Sequence, residues 1–218
     1  MRKVTPPRKK PLPRGRPKGF APDEALDAAL RVYWEKGYVG ASLADLTAAM
    51  GVNKPSLYAT FGDKPSLFRK VVDRYVRRQS SLWDDAFRLA TAKESVERVL
   101  RGAADALTSG KNPRGCLLVQ AALSCGEEAD CIKRELAAKR AECDSLLRTR
   151  LVRAQAEGDL SRAVDVAALS HFFSTVLRGM SVEASGGATR AQLQTVIDLA
   201  MKAWPPSAKT KRASQAEV

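Results

Sequence analysis

Hydrophobic residues recur along this chain at intervals of three and four positions, which is the spacing of an amphipathic helix. Strand-like alternation never lasts for more than a few residues, so the pattern predicts an all-α fold of about nine helices. The predicted helices cover about 22–36, 43–50, 54–60, 64–88, 91–108, 127–156, 165–185 and 189–203. An almost wholly apolar segment at 116–123 suits a buried helix or a strand, because periodicity alone does not separate the two.

The segment around Gly51 has the pattern of two short helices joined by a turn. Ser42 and Asn53 are residue types that favour the N-cap of a helix, and Gly51 lies where the first helix should end. Leu57 and Phe61 lie four positions apart and are expected to point inward from the second helix. This pattern predicts a helix-turn-helix, whose second helix enters the major groove of DNA.

The residues that follow the turn resemble the DNA-binding domain of the TetR/AcrR family of bacterial transcriptional regulators. The matching positions are Gly51-Val52, Ser56-Leu57-Tyr58, Phe61, Lys64 and Leu67-Phe68. The specific resemblance covers about residues 20–78, and beyond them only the helical architecture is similar. It implies a helix-turn-helix domain at 21–66 and a helical ligand-sensing and dimerisation domain at 67–206. It also implies that the last two helices pack against their copies in a second subunit, although the same apolar faces suit ordinary intrachain core.

The resemblance implies a regulator, more often a repressor than an activator, that binds a palindromic operator in double-stranded DNA as a homodimer. Positions that face base edges in the family are here Lys54, Pro55, Ala59 and Thr60. Positions suited to holding phosphates are here Ser42, Ser56, Tyr58 and Lys64. Tyr58 also suits a partly buried aromatic with a solvent-facing hydroxyl, and Lys64 an ordinary lysine at the start of a helix.

The net charge of +13 is concentrated at the two ends of the chain. Residues 1–20 contain eight basic and no acidic residues, and 207–218 contain three basic residues and one acidic residue. Both ends are expected to be disordered. Arg14, Arg16 and Lys18 form a run similar to hooks that bind the minor groove, so the arm is expected to contact DNA. Basic tails also occur merely as solubilising ends.

The second domain holds the candidate sensing residues. Those that could line a ligand cavity are Trp83, Phe87, His171, Phe172 and Met180, each of which also suits plain core. The resemblance implies an inducer that shifts the protein between two conformations with different operator affinity, and its identity is open.

Four cysteines offer a second sensing hypothesis. Cys116 lies beside Arg114 at a predicted helix start, and both features lower the pKa of a thiol. Cys116 is therefore a candidate sensor of an oxidant or electrophile, with Cys125 and Cys131 as resolving partners. Cys143 lies on an apolar stripe, and both Cys116 and Cys143 also suit the role of small hydrophobes in a reduced core.

The composition disfavours several other classes of protein. A single histidine, with no phosphate-binding glycine loop and no paired carboxylates on one helix face, argues against an enzyme. The cysteine spacing contains no C-x-x-C pair, so neither a zinc site nor another cofactor is expected. No apolar run approaches a membrane span and no signal peptide is evident, so a cytoplasmic bacterial protein, nucleoid-associated when bound to DNA, is predicted. Non-specific DNA packaging is the alternative function, which the large and nearly neutral second domain disfavours.

Overall fold

The computed structural model describes residues 21–123 and 129–206. The predictions that fall outside these residues concern the basic arm (Arg14, Arg16 and Lys18), the basic tail and Cys125.

Nine α-helices make up the described part of the chain, and no strand occurs there. Their bounds are Pro22–Gly40 (α1), Leu43–Met50 (α2), Lys54–Phe61 (α3), Lys64–Phe87 (α4), Ala92–Thr108 (α5), Leu117–Leu123 (α6), Asp130–Ala156 (α7), Val166–Ser185 (α8) and Arg190–Lys202 (α9). The all-α prediction is confirmed. The ambiguous apolar segment after Cys116 is a helix.

The short helices of the N-terminal part begin at polar side chains that bind the first free backbone amides. Ser42 Oγ accepts from the Asp45 amide at 3.0 Å, and the Asp45 carboxylate accepts from the Ser42 amide in return, which completes a capping box. Asn53 caps α3, where its side-chain Oδ1 accepts a hydrogen bond from the Ser56 amide at 2.8 Å. Gly51 ends α2 with a φ of 65°, a conformation that glycine adopts without strain. These residues define where α2 begins and ends and where α3 begins.

Two clusters of buried side chains form the interior. The first joins α1, α2, α3 and α4 to α6 and to the start of α7, through residues such as Tyr33, Leu57, Phe68, Leu117 and Ile132. The second joins α5, the C-terminal half of α7, α8 and α9. The core beneath the helix-turn-helix therefore continues into α6, which packs against α1 and also against α7.

Candidate nucleic-acid interface and internal cavity

Helix α3 has one buried and one exposed face. Leu57 and Phe61 anchor it in the first cluster, where Leu57 has no exposed surface. The exposed side chains are Lys54, Pro55, Tyr58, Ala59 and Thr60. Tyr58 is 46% exposed, so its ring stands on the surface of the molecule rather than in the core. All four positions predicted to read bases therefore lie on the exposed side of a single helix.

The predicted phosphate contacts come from the cap of α2, from α3 and from the start of α4. Ser42 is exposed, and its hydroxyl donates to the Asp45 carboxylate at 2.7 Å. The pKa of Asp45 lies below its ordinary value because Lys36 and then Ser42 bind the carboxylate. Ser56 is half-buried. The Ser42 hydroxyl could donate to a phosphate only by turning away from Asp45.

Lys64 lies at the start of α4, three residues after the end of α3. Its Nζ is 4.8 Å from the centre of the Tyr38 ring, which is a cation–π contact. Partial burial lowers the pKa of Lys64 from its ordinary value. The ring therefore holds the ammonium group in place while leaving it half-exposed.

A cavity of about 210 Å³, partly open to solvent beside Asp84 and Leu146, lies where α1, α4, α5, α6, α7 and α8 meet. Its wall is mostly apolar and includes Trp34, Tyr75, Trp83, Leu107, Leu118 and Leu177. Two guanidinium groups, those of Arg140 and Arg178, also line it.

Two of the six residues predicted for sensing, Trp83 and Cys116, lie in the cavity wall. Phe87 packs against Trp83, with 5.5 Å between the ring centres, but does not belong to the wall. The other three lie elsewhere: Met180 in the buried core, and His171 and Phe172 on the exposed side of α8.

Sequence reasoning missed Trp34, Tyr75, Arg140 and Arg178, which the fold brings to the wall from four different helices. Trp34 and Tyr75 follow the apolar stripes of their helices, so they could not be distinguished from core. Arg178 carried a usable signal, because it is the one charged residue inside the apolar stretch 166–182.

The surroundings of Cys116 differ from those predicted. The Tyr75 hydroxyl donates to Cys116 Sγ at 3.2 Å, and burial of the thiol raises its pKa. The Arg114 guanidinium is instead engaged by the backbone carbonyls of Ala184 and Ala188. The predicted lowering of the Cys116 pKa is therefore wrong, because desolvation outweighs the favourable neighbours, Arg140 among them.

The other two described cysteines differ from each other in their exposure to solvent. Burial raises the pKa of Cys143, which also lies in the cavity wall, to about 11. Cys131 is exposed at the start of α7. The cavity thiols are therefore protonated at neutral pH, and the exposed thiol is the more accessible one.

The loop before α6 joins the cavity to the helix-turn-helix region. The indole Nε1 of Trp34, in α1, donates to the carbonyl of Gly115 at 3.1 Å. The Trp34 ring meets the Tyr75 ring edge-on, with 4.9 Å between their centres. On the other side, the amide of Cys116 donates to the Ser181 hydroxyl of α8 at 2.8 Å. A change at this loop therefore acts on α1 and α8 together.

Gly115 is expected to tolerate no larger residue. Its φ is 82°, and an added Cβ would lie 3.0 Å from the Ser181 carbonyl oxygen. Gly110 has a φ of 69° with nothing described within 4 Å, so Gly110→Ala isolates the backbone strain of about 1–2 kcal/mol. Gly115→Ala is expected to lower the free energy of unfolding, measured in urea, by about 1–2 kcal/mol more than Gly110→Ala does, because the added Cβ overpacks the site. Equal losses in the two variants would show that the close approach is unimportant.

Helices α8 and α9 present an apolar surface on the side away from the second core cluster. Phe172 and Val182 on α8, and Val196 and Leu199 on α9, are all at least 40% exposed. Leu199 is the most exposed of them, at 59%. Surfaces of this kind mark sites of protein association. Within the described residues, no helix combines the length and the apolar character that crossing a membrane requires.

The fold and the exposed helix define a helix-turn-helix protein with a helical second domain, and comparisons with known proteins give the family. The model for bacterial regulatory proteins, tetR family, matches residues 25–71, and the model for the tetracyclin repressor-like C-terminal domain matches 92–200. The chain belongs to the TetR family, as its sequence predicted. It is therefore a regulatory protein and not an enzyme.

Individual relatives cover most of the chain. The HTH-type transcriptional repressor ComR of Escherichia coli (strain K12) is 34% identical over 200 residues, which cover 90% of this chain and 94% of ComR. The HTH-type transcriptional repressor BdcR of the same organism is 32% identical over 192 residues, covering 87% and 91%. A cysteine mutant of the TetR family transcriptional regulator CifR, solved with 26-bp double-strand operator DNA, has a TM-score of 0.84 and 41% identity, covering 87% of this chain and 100% of that chain.

Proposed function

We propose that this protein is a transcriptional repressor that binds a palindromic operator as a homodimer and places α3 in the major groove. The observation that carries the proposal is the exposed face of α3, on which a lysine, small apolar groups and two hydroxyls stand together above a buried anchor. The similarity to ComR, BdcR and CifR supports repression and operator binding.

The chemistry of the exposed side chains divides their proposed roles. Lys54 can donate to guanine N7 and O6, whereas Pro55, Ala59 and the Thr60 methyl group can contact thymine methyls. The proposed phosphate contacts come from Ser42, Ser56, Tyr58 and Lys64, and those in the minor groove from Arg14, Arg16 and Lys18 of the arm.

The apolar surface of α8 and α9 supports the proposed dimer. A two-fold axis places the same patch on both subunits, so one surface is sufficient to form the interface. Pairing of two helices from each subunit would cover Phe172, Val182, Val196 and Leu199 and would set the spacing of the two α3 helices.

The internal cavity supports release of the operator by a small molecule. Its wall includes Trp34 of α1 and Ser181 of α8. A ligand in the cavity can therefore change the packing of both the DNA-binding region and the proposed dimer helices. A ligand that binds one conformation more tightly than the other shifts the population towards it.

DNase footprinting on the DNA upstream of the gene for this protein tests the proposal. A repressor protects one stretch that contains two inverted half-sites. Uniform protection along the whole fragment would instead support DNA packaging and contradict the proposal.

Lys64→Ala is expected to weaken binding to all DNA sequences and to lower the slope of log K against log salt by about one unit. The reason is that a phosphate contact releases a counterion without reading a base. Lys93→Ala removes the same charge from the exposed surface of α5 and serves as the control. The measurement is fluorescence anisotropy over a series of salt concentrations. A slope for Lys64→Ala equal to that of the control would remove Lys64 from the phosphate contacts.

Modification of Cys116 is the second proposed route of release. Since burial raises its pKa, Cys116 should react with iodoacetamide more slowly than Cys131 at neutral pH, and faster as the pH rises. Cys116→Ser is expected to retain operator binding after treatment with peroxide, whereas the unsubstituted protein should be released from the operator. Mass spectrometry and a gel-shift assay measure the two effects. Release of the oxidised Cys116→Ser variant would contradict this route.

A further inference from the structure

We propose that the cavity binds a small organic acid, with its carboxylate on Arg140 and its apolar body against the aromatic wall. The inference rests on the proposed function, because it names the chemical class of the molecule that relieves repression.

The two guanidinium groups of the wall differ in their partners. Arg178 is neutralised by Asp144, since its Nη1 lies 2.9 Å from each oxygen of that carboxylate. Arg140 donates to the backbone carbonyl of Leu118 at 2.7 Å, and no described carboxylate lies within ion-pair distance of it. Asp84, the other acid of the wall, is exposed on α4 and pairs with neither guanidinium among the described residues. Among the described residues, the wall therefore offers one guanidinium, that of Arg140, that forms no ion pair with a carboxylate.

The energetics of Arg140 favour an anion beside it. Burial, followed by the positive charge of Arg178, lowers the pKa of Arg140 from its ordinary value. A guanidinium has five N–H donors in a planar fork, and the carbonyl of Leu118 uses only one of its nitrogens. A carboxylate can take the remaining donors in the bidentate geometry that arginine prefers.

The rest of the wall suits an apolar body. Trp34, Tyr75 and Trp83 contribute aromatic surface, and Leu107 and Leu177 contribute aliphatic surface. Pockets of this kind gain affinity from apolar contact and specificity from a few polar groups. The cavity volume of about 210 Å³ limits the ligand to a small molecule.

A ligand bound at Arg140 would also affect the packing of the DNA-binding region. The bond from Arg140 to Leu118 ties α7 to α6, and the Trp34 bond to Gly115 ties the loop before α6 to α1. A carboxylate on the remaining donors of Arg140 would lie beside this bond to the Leu118 carbonyl. Occupation of the cavity therefore acts on the segment that packs against α1.

Matched pairs of acid and amide test the inference on the purified protein without DNA. The probes are benzoate with benzamide, 1-naphthoate with 1-naphthamide, and octanoate with octanamide, titrated by tryptophan fluorescence and by calorimetry. At least one acid is expected to bind about tenfold or more tightly than its amide, the effect of one charge-assisted hydrogen bond. Arg140→Gln should bind acid and amide alike, whereas Arg148→Gln, an exposed arginine on the same helix, should keep the preference.

Several outcomes would overturn the inference: no saturable binding of any of the three acids, equal binding of every acid and its amide, or an unchanged preference in Arg140→Gln. The comparison in unsubstituted protein stands even if Arg140→Gln fails to fold. Because DNA is absent, the result is also independent of the proposed function. Acid binding without a protected palindrome would refute repression alone, and a palindrome without acid binding would refute this inference alone.

Discussion

Leu199→Glu is expected to convert the proposed dimer to a monomer and to lower operator affinity by about 100-fold or more. Leu199 is the most exposed side chain of the apolar surface on α8 and α9. Two-fold symmetry would introduce the glutamate twice, and burying an unpaired carboxylate is costly. A monomer presents a single α3 helix, so it loses the gain of binding both half-sites at once. Light scattering after size exclusion gives the mass, and a gel-shift assay gives the affinity.

Leu89→Glu is the matched control for this variant. Leu89 is 38% exposed in the connection between α4 and α5 and belongs to neither α8 nor α9, so the same change in charge and volume should leave the proposed dimer intact. A dimeric Leu199→Glu protein would place the interface elsewhere. Loss of the dimer in both variants would point to a general effect of added negative charge.

Leu57→Ala is expected to lower the free energy of unfolding by about 2–5 kcal/mol. Leu57 is fully buried and anchors α3 in the first core cluster, so its truncation leaves a cavity beneath the helix. DNA binding should fall with stability, because α3 no longer holds its orientation. Urea unfolding followed by circular dichroism measures the change.

Tyr58→Ala tests the opposite face of the same helix. Tyr58 is 46% exposed, so its truncation should change stability by only about 0.5 kcal/mol or less, while weakening DNA binding through loss of the proposed phosphate contact. Equal destabilisation by the two variants would contradict the division of α3 into a buried and an exposed face. Unchanged DNA binding by Tyr58→Ala would remove Tyr58 from the interface.

The helix-turn-helix could be predicted because its determinants are local. Ser42, Asn53 and Gly51 set the ends of α2 and α3, and the spacing of Leu57 and Phe61 determines which side of α3 faces outward. These effects depend on residues within one or two turns, which a single sequence displays.

The cavity could not be predicted because its wall is assembled from distant segments. Tyr75 and Arg140 are far from Cys116 in the sequence, yet they set the environment of its thiol. Burial, which reverses the predicted direction of the Cys116 pKa, depends on how α4, α6 and α7 pack. The pairing of Arg178 with Asp144, which leaves Arg140 without an ion pair among the described residues, likewise appears only in three dimensions.

Selection from a pool of random double-stranded DNA tests the central claim of sequence-specific, dimeric binding most directly. The unsubstituted protein is expected to enrich a single inverted repeat, and Leu199→Glu is expected to enrich no paired half-sites. Recovery of the pool without any enriched sequence, at protein concentrations that retain DNA, would contradict the assignment as an operator-binding repressor and favour non-specific packaging.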